Sequence, residues 1–262
     1  MEKLDLKKAR RDLFTAPAGR FVEIRVPRCL YVMIDGHGDP NSVPEYSRAL
    51  KALYSTAYAL KAELKPSGGD FVVPPLEGLW SSPDPENFRA RRKSAWDWTM
   101  MIMVPDRVDE RHFEAARERA GHKLGDALSD LRLGSLAEGH CLQALHIGSY
   151  DDEAPLLAQL HEQIMPASGY LFAGPHHEIY LSDPRKTEAS KLRTILRQPV
   201  RPADWVGANR TDIGKGKSRP PTHRRFRVRA KLVQSPHESG GVESGLGRTG
   251  TGSRNDRTGG RG

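Results

Sequence analysis

A single glutamate in an apolar strand is the strongest candidate for chemistry in this chain. In the strand predicted at 176–181, side chains alternate between faces, so Ile179 and Leu181 share one face. Glu178 lies on the opposite face with His176 and Tyr180. Burying a carboxylate on the inner face of a sheet costs free energy, so such a residue usually has a hydrogen-bonding or ionic partner or a catalytic role. Burial also raises the pKa of the carboxyl group. We therefore predict that Glu178 is a catalytic base; the alternative is a solvent-exposed strand glutamate.

Aromatic side chains are the second candidate feature, because flat rings offer offset stacking to a planar ligand. Trp96 and Trp98 are two residues apart in a strand-like segment, so they share a face and at least one should be a core residue. Trp80 and Tyr150 end predicted elements, where contact with a ligand is more plausible. Tyr150 is predicted to be catalytic together with Glu178, because it is expected to hydrogen-bond Glu178 or the ligand. The predicted ligand-binding residues are Trp80, Trp96, Trp98, Tyr180 and His176.

Other chemistries find little support in the sequence. Among the ten histidines and two cysteines, no pair has the spacing of metal ligands, so no metal and no cofactor is expected. The chain has no G-x-S-x-G nucleophile motif and no P-loop. Cys29 and Cys141 lie in apolar segments and are expected to be buried reduced thiols.

The elements that would position these residues form two similar series. The first comprises a strand at 26–34, a helix of about twenty residues with Pro44 in its first turn, a strand at 71–80 and a strand at 95–104. Pro74-Pro75 in the strand at 71–80 indicates that this strand lies at a sheet edge. The second comprises a strand at 141–147, a helix from Asp151 or Asp152, and a strand pair around Gly174-Pro175. A helix at 110–127 joins the two series, and a short helix is predicted at 187–197.

Both series are ordered strand, helix, strand, strand, which makes an internal duplication plausible. We therefore predict an α+β fold of two tandem modules, at about 20–105 and 106–202, within one domain at 1–203. Each module would be a small antiparallel sheet with its helices outside. A ligand cleft is expected between the modules.

The charge of the chain is concentrated at its C-terminal end. Residues 1–203 contain 28 basic and 28 acidic residues, whereas 204–262 contain 13 basic and 5 acidic residues and twelve of the 25 glycines. A basic, glycine-rich segment with few apolar residues is expected to be disordered. Only this tail could attract nucleic acid, and only non-specifically, so no nucleic-acid partner is predicted.

No membrane partner is predicted either. The N-terminus is charged where a signal peptide is apolar, and no apolar run approaches the roughly 20 residues that cross a bilayer. The expected location is cytoplasmic. The oligomeric state is not determined by the sequence.

Six sequence blocks, in this order, resemble the GyrI-like small-molecule-binding family. They are IDGHGDPN (34–41), PLEGLW (75–80), WDWTMMIM (96–103), HIGSYD (146–151), HHEIYLSDPR (176–185) and LRTILRQP (192–199). The resemblance implies tandem modules of the SHS2 type. Two departures are visible: many relatives have a second tryptophan where this chain has Ser81, and the family pattern ends near Pro202. The remaining residues are either a genuine extension or a frameshift product.

The resemblance also implies two functions that need the same cleft. The stand-alone two-module branch includes hydrolases that open the strained cyclopropane ring of DNA-alkylating cyclopropanoids, and there the residue matching Glu178 is expected to activate water. In drug-sensing relatives, the matching acidic residue binds cationic ligands. The chain is therefore expected to bind a flat hydrophobic molecule and to hydrolyse strained electrophilic xenobiotics; the alternative is a non-catalytic module that sequesters or senses drugs. A third reading, a protein that binds gyrase or another macromolecule, requires an exposed patch that the sequence does not identify.

Overall fold

The computed structural model describes residues 3–204, except 85, 88–89 and 122–129. The strands are β1 (Leu4–Asp5), β2 (Val22–His37), β3 (Phe71–Val72), β4 (Leu76–Ser81), β5 (Asp97–Val104), β6 (Arg132–Ile147), β7 (Tyr170–Phe172), β8 (His176–Tyr180) and β9 (Arg193–Pro202). The helices are α1 (Leu6–Ala9), α2 (Pro44–Leu64), α3 (Glu110–Gly121) and a composite α4, which joins Ala154–Ala158, the π-helical segment Gln159–Ile164 and Met165–Ala167. No helix in these ranges is long and apolar enough to cross a membrane.

Seven strands form one antiparallel sheet in the order β6-β2-β5-β4-β8-β9-β7. The long strand β6 pairs with β2 along most of its length and with β9 through its last residues, Cys141–Ile147. Because β6 bonds both β2 and β9, six of the strands close into a ring, and β7 pairs with β9 beside it. The short strands β1 and β3 pair in parallel beside this sheet.

The predicted α+β class with antiparallel strands is confirmed. Both series pair in the same order, β2-β5-β4 in the first and β6-β9-β8 in the second. Instead of two sheets facing each other, the two series share one sheet through the β2–β6 and β4–β8 pairs. A duplication as the origin of this correspondence stays a prediction, as do the module boundaries.

Two predicted elements differ in the structure. The helix predicted at 187–197 is wrong, because Arg193–Pro202 is strand β9, which bonds β8 on one side and β6 on the other. The edge position predicted from Pro74-Pro75 is also wrong for β4, which lies between β5 and β8. The two prolines fall between β3 and β4, where no ladder bond is needed. The last part of the helix predicted at 110–127, and the tail from residue 205, lie outside the described residues.

The two faces of the sheet are covered by different segments. On one face, Val32, Met100 and Ile102 pack in a cluster with Leu53 and Leu60 of α2. On the other face, inside the ring, the core cluster is Tyr31, Met33, Met101, Met103, Ile179 and Ile195 with Leu6, Leu13 and Phe14 of the N-terminal segment. Helices α2 and α3 therefore lie outside the ring, and the N-terminal segment with α1 fills it.

A buried ionic network also lies inside the ring. His177 is fully buried between two carboxylates, with Nε2 3.0 Å from Glu77 Oε2 and Nδ1 3.0 Å from Glu138 Oε1. Arg197 Nη1 is 2.9 Å from Glu138 Oε2, and Arg197 Nε donates to Gln143 Oε1 at 3.1 Å. Burial opposes ionisation of Glu138, yet His177 and then Arg197 lower its pKa to about 2. The charges in this network therefore stabilise one another.

Candidate small-molecule site

A cavity of about 1410 Å³ opens between helices α2 and α4 above strands β4 and β8. Trp80 of β4 and Glu178 and Tyr180 of β8 line its inner part. The alternation in β8 explains this placement, because His177 and Ile179 point into the ring and their neighbours point outward.

Glu178 is held by two aromatic residues. Its side chain is 14% exposed, and the Tyr180 hydroxyl donates to Glu178 Oε2 at 2.8 Å. That hydroxyl in turn accepts from Trp80 Nε1 at 3.0 Å. Burial and the adjacent Glu178 raise the pKa of Tyr180 well above its usual value, so its hydroxyl stays a donor. His176 Nε2 lies 3.6 Å from the other oxygen, Glu178 Oε1.

Aromatic rings pack edge to face around this carboxyl group. The rings of Trp80 and Trp96 are 5.8 Å apart at 69°, and those of Tyr150 and Tyr180 are 5.7 Å apart at 84°. Tyr46 from α2 meets Trp80 at 6.3 Å. Edge-to-face packing fixes each ring in one orientation, which gives the cavity a rigid aromatic wall.

Most residues predicted from the sequence meet at this cavity. Its lining includes Glu178, Tyr150, Trp80, Trp96 and Tyr180. Tyr150 is predicted to hydrogen-bond Glu178 or the ligand; in this structure the hydroxyl that donates to Glu178 is that of Tyr180, so the bond from Tyr150 to the ligand stays a prediction.

Two predicted ligand contacts, Trp98 and His176, are not on the cavity wall. Trp98 is 2% exposed and packs edge-on behind Tyr46, in space left by the missing side chain of Gly36. His176 is 4% exposed and lies behind Glu178. Neither side chain reaches the cavity surface: Trp98 packs in the core and His176 lies beside the carboxyl group, so contact of either residue with a ligand stays a prediction.

Sequence reasoning missed a second cavity carboxyl group, Glu153. It ends the 3₁₀ turn Tyr150–Glu153 and is 4% exposed. Burial and then Glu178 raise the pKa of Glu153 to about 10, although Arg91 and Lys93 oppose the shift. The group is therefore protonated at neutral pH. In the sequence Glu153 ends an acidic run before a helix, a position that is typical of exposed helix starts. The available signal was its spacing of three from Tyr150, which places the two side chains on the same side of a helical turn.

The site thus combines a neutral carboxyl group with one that accepts a hydrogen bond. Glu153 has a raised pKa and can give a proton, while the Tyr180 hydroxyl donates to Glu178 Oε2. Two nearby carboxyl groups in different environments are the usual arrangement of an acid and a base in one site. The aromatic wall would hold an apolar ligand between them.

The fold and the cavity define a small-molecule-binding α+β domain. The model of the GyrI-like small molecule binding domain matches residues 31–201. The chain therefore belongs to the GyrI-like family, as its sequence blocks predicted.

Solved structures agree with this assignment. An uncharacterized conserved protein from Listeria innocua is 39% identical, with a TM-score of 0.70, over 76% of this chain and 100% of its own. A hydrolase from Listeria innocua is 37% identical over the same shares, with a TM-score of 0.65, and another Listeria innocua hydrolase structure gives 37% and 0.66. No curated protein matches the chain significantly.

Proposed function

We propose that this protein is a hydrolase of strained electrophilic xenobiotics such as cyclopropanoids, which it binds as flat hydrophobic molecules. The observation that carries the proposal is the pair of carboxyl groups, Glu153 and Glu178, at the inner end of an aromatic cavity. Two similar Listeria innocua structures are of hydrolases, which favours the same reaction class.

The proposed reaction gives the two carboxyl groups different roles. Glu178 takes a proton from a water molecule, and the oxygen of that water forms a bond to a cyclopropane carbon. The bond between that carbon and the ring carbon conjugated with the carbonyl breaks, and its electron pair moves into the conjugated carbonyl system. Glu153 gives its proton to the oxygen that becomes a phenol. The proton gained by Glu178 then passes through solvent to Glu153, so the net change is the addition of one water.

Tyr180 and Trp80 position the base in this scheme. The Tyr180 hydroxyl donates to Glu178 Oε2 and accepts from Trp80 Nε1, so the carboxyl group is oriented before the ligand arrives. Tyr150 packs on the Tyr180 ring and forms part of the wall against which the ligand lies. A single positioned base contributes roughly 10²–10⁴-fold to the rate.

The test is Glu178→Gln, with turnover of a cyclopropanoid followed by mass spectrometry for a product heavier by one water. We expect turnover to fall by about 10²–10⁴-fold while the ring-opened product binds with an unchanged Kd, because the amide keeps the shape of the carboxyl group. Glu188→Gln is the matched control, since its side chain is 72% exposed and does not line the cavity. Wild-type turnover by Glu178→Gln would disprove the assigned base.

The second candidate is a non-catalytic module that sequesters or senses drugs. Its support is the cavity itself, since the size and aromatic wall suffice for binding without chemistry. Tight binding of the cyclopropanoid by the wild type, with no change in ligand mass, would favour this candidate over the hydrolase.

A further inference from the structure

A basic run in the loop between β4 and β5 lies against the cavity. The run is Arg91-Arg92-Lys93, and of these residues Arg91 and Lys93 line the cavity. Runs of this kind in a loop are usually solvated. The proposed reaction gives neither cation a role, so their contacts with the rest of the site need a different explanation.

Arg91 binds the turn that carries two residues of the site. Its Nη2 is 2.8 Å from Asp151 Oδ1, in the turn Tyr150–Glu153. Longer contacts join Nη2 to the Tyr150 carbonyl at 3.4 Å and Nη1 to the Asp151 carbonyl at 3.3 Å. The planar guanidinium thus contacts the turn with both terminal nitrogens, which fixes an orientation better than a single point charge does.

The same loop also carries part of the aromatic wall. Lys93 reinforces the attachment, since its Nζ lies 3.3 Å from Asp151 Oδ1. Three residues further along the chain, Trp96 packs edge to face on Trp80 and lines the cavity. The loop therefore connects the aromatic wall to the turn that carries Glu153, and Arg91 makes the connection.

The backbone of Arg91 has an unfavourable conformation. Its φ angle is 51°, and the other positive φ angles in the described part of the chain all belong to glycines. A residue with a Cβ pays free energy for the left-handed region, and it stays there only where surrounding contacts enforce it. Backbone strain of this kind is concentrated at functional sites.

The stability of the fold does not account for this arrangement. The Arg91 and Asp151 side chains are 34% and 78% exposed. Ion pairs with such exposure contribute little to the free energy of unfolding, because water screens them. The main consequence of the contact is therefore local, at Tyr150 and Glu153.

Arg91 also acts on Glu153 through its charge. Burial and then Glu178 raise the pKa of Glu153 to about 10, whereas Arg91 and, more weakly, Lys93 oppose the rise. Without the guanidinium, the neutral form of Glu153 would be favoured further. The acid would then give its proton less readily.

We propose that Arg91 is a positioning residue: its guanidinium holds the turn Tyr150–Glu153 against the β4–β5 loop, so that Glu153 and Tyr150 keep their places beside Glu178. This inference rests on the proposed function for its effect on turnover. It adds a residue that acts through Glu153 and that takes no proton itself.

The experiment compares Arg91→Met and Arg91→Lys in the full chain. Methionine removes the charge and the contacts, whereas lysine keeps the charge but lacks the planar fork. Hydrogen exchange, measured by mass spectrometry on a peptide that covers 146–157, reports how firmly the turn is held. We expect this peptide to exchange about 10-fold faster in both variants than in the wild type.

Titration of Glu153 separates the charge from the contacts. The carbon-13 shift of its carboxyl carbon, assigned by comparison with Glu153→Gln, gives the pKa. This pKa should rise in Arg91→Met and keep its wild-type value in Arg91→Lys. A fall towards 4.5 in Arg91→Met would mean that water enters the site, and it would contradict the electrostatic role.

Turnover of a cyclopropanoid should fall by about 10–10²-fold in Arg91→Met, because a misplaced acid reacts poorly. Arg117→Met is the matched control. Arg117 is 37% exposed and pairs with Glu114 on α3, at 2.6 Å, and it does not line the cavity. This control should leave the exchange, the titration and the turnover unchanged.

The positioning role is disproved if the 146–157 peptide exchanges equally in Arg91→Met and Arg117→Met, or if Arg91→Met keeps wild-type turnover. Failure of the hydrolase proposal has a different result, namely no turnover by the wild type. In that case the exchange and the titration would still decide whether Arg91 holds the turn and acts on Glu153.

Discussion

At the residue scale, Glu153 links the chemistry of the site to the stability of the fold. Burial and Glu178 raise the pKa of this carboxyl group from 4.5 to about 10. The folded state therefore keeps a proton that the unfolded state loses once the pH rises above 4.5. The stability that this proton contributes is complete at low pH and declines as the pH rises towards 10.

We expect Glu153→Gln to stabilise the protein at pH 8 by about 1–3 kcal/mol, because glutamine needs no proton to stay neutral. At pH 5 the gain should nearly vanish. Urea unfolding at both pH values measures the difference, with exposed Glu188→Gln as the control. The same variant should slow turnover, since it removes the proposed acid. A gain independent of pH would contradict the shifted pKa.

At the element scale, strands β8 and β9 carry different polar groups on their two faces. Glu178 faces the cavity, while His177 and Arg197 of the buried network face into the ring. The network also binds the N-terminal segment, because Arg197 Nη2 donates to the Leu13 carbonyl at 2.7 Å and Gln143 Nε2 to the Asp12 carbonyl at 3.0 Å. The ion pair between Arg197 of β9 and Glu138 of β6 thus helps to hold together the two strands that close the ring.

Arg197→Met should lower the free energy of unfolding by about 3–5 kcal/mol, because it leaves Glu138 buried without its guanidinium partner. Arg193→Met, on the same strand but exposed, is the control. The pKa of Glu138 is lowered to about 2, so its stabilising contribution is present above pH 4.5 and is lost as the pH falls towards 2. Equal urea midpoints for the two methionine variants would show that the network contributes little.

Strand β2 supports the aromatic wall through a glycine. A Cβ at Gly36 would overlap three ring carbons of Trp98, which is held in turn by Tyr46. Gly36→Ala should therefore displace the indole and destabilise the protein by about 1–3 kcal/mol. Gly134→Ala is a matched control, because its nearest neighbour is the flexible Met33 side chain at 2.8 Å. Urea unfolding and near-ultraviolet circular dichroism would compare the two; an equal loss in both variants would contradict the explanation.

At the scale of the whole molecule, the charge and the site occupy different parts of the chain. Residues that line the cavity end at Lys186, and the family match ends at residue 201. The excess of 13 basic over 5 acidic residues lies after Ala203. Ligand binding and attraction to polyanions should therefore be separable.

A chain shortened to residues 1–204 should bind the ring-opened cyclopropanoid product, used as a probe, with the same Kd as the full chain. It should also elute from a heparin column at lower salt, because 1–203 has equal numbers of acidic and basic residues. Adding a separate 204–262 peptide to the shortened chain tests whether the tail affects ligand binding without being covalently joined to it. A large change in probe Kd would show that the tail takes part in binding.

The sequence by itself determined the family, the α+β class and the position of the main carboxyl group. The ordered blocks from 34 to 199 identify the GyrI-like family, and simple alternation in β8 places Glu178 opposite Ile179. Both signals are local, because they depend only on residue types and on the geometry of a single strand.

Only the tertiary structure decided which residues are buried and which line the cavity. Leu192, Ile195 and Leu196 have helical spacing, yet β9 is bonded and buried on both sides, so its apolar run does not alternate. Trp98 is a core residue because Gly36 on the next strand leaves room for it. Glu153 lies in an acidic run, yet it is buried and has a raised pKa because the surrounding cavity desolvates it near Glu178. Such contacts join residues distant in the chain, and no local pattern encodes them.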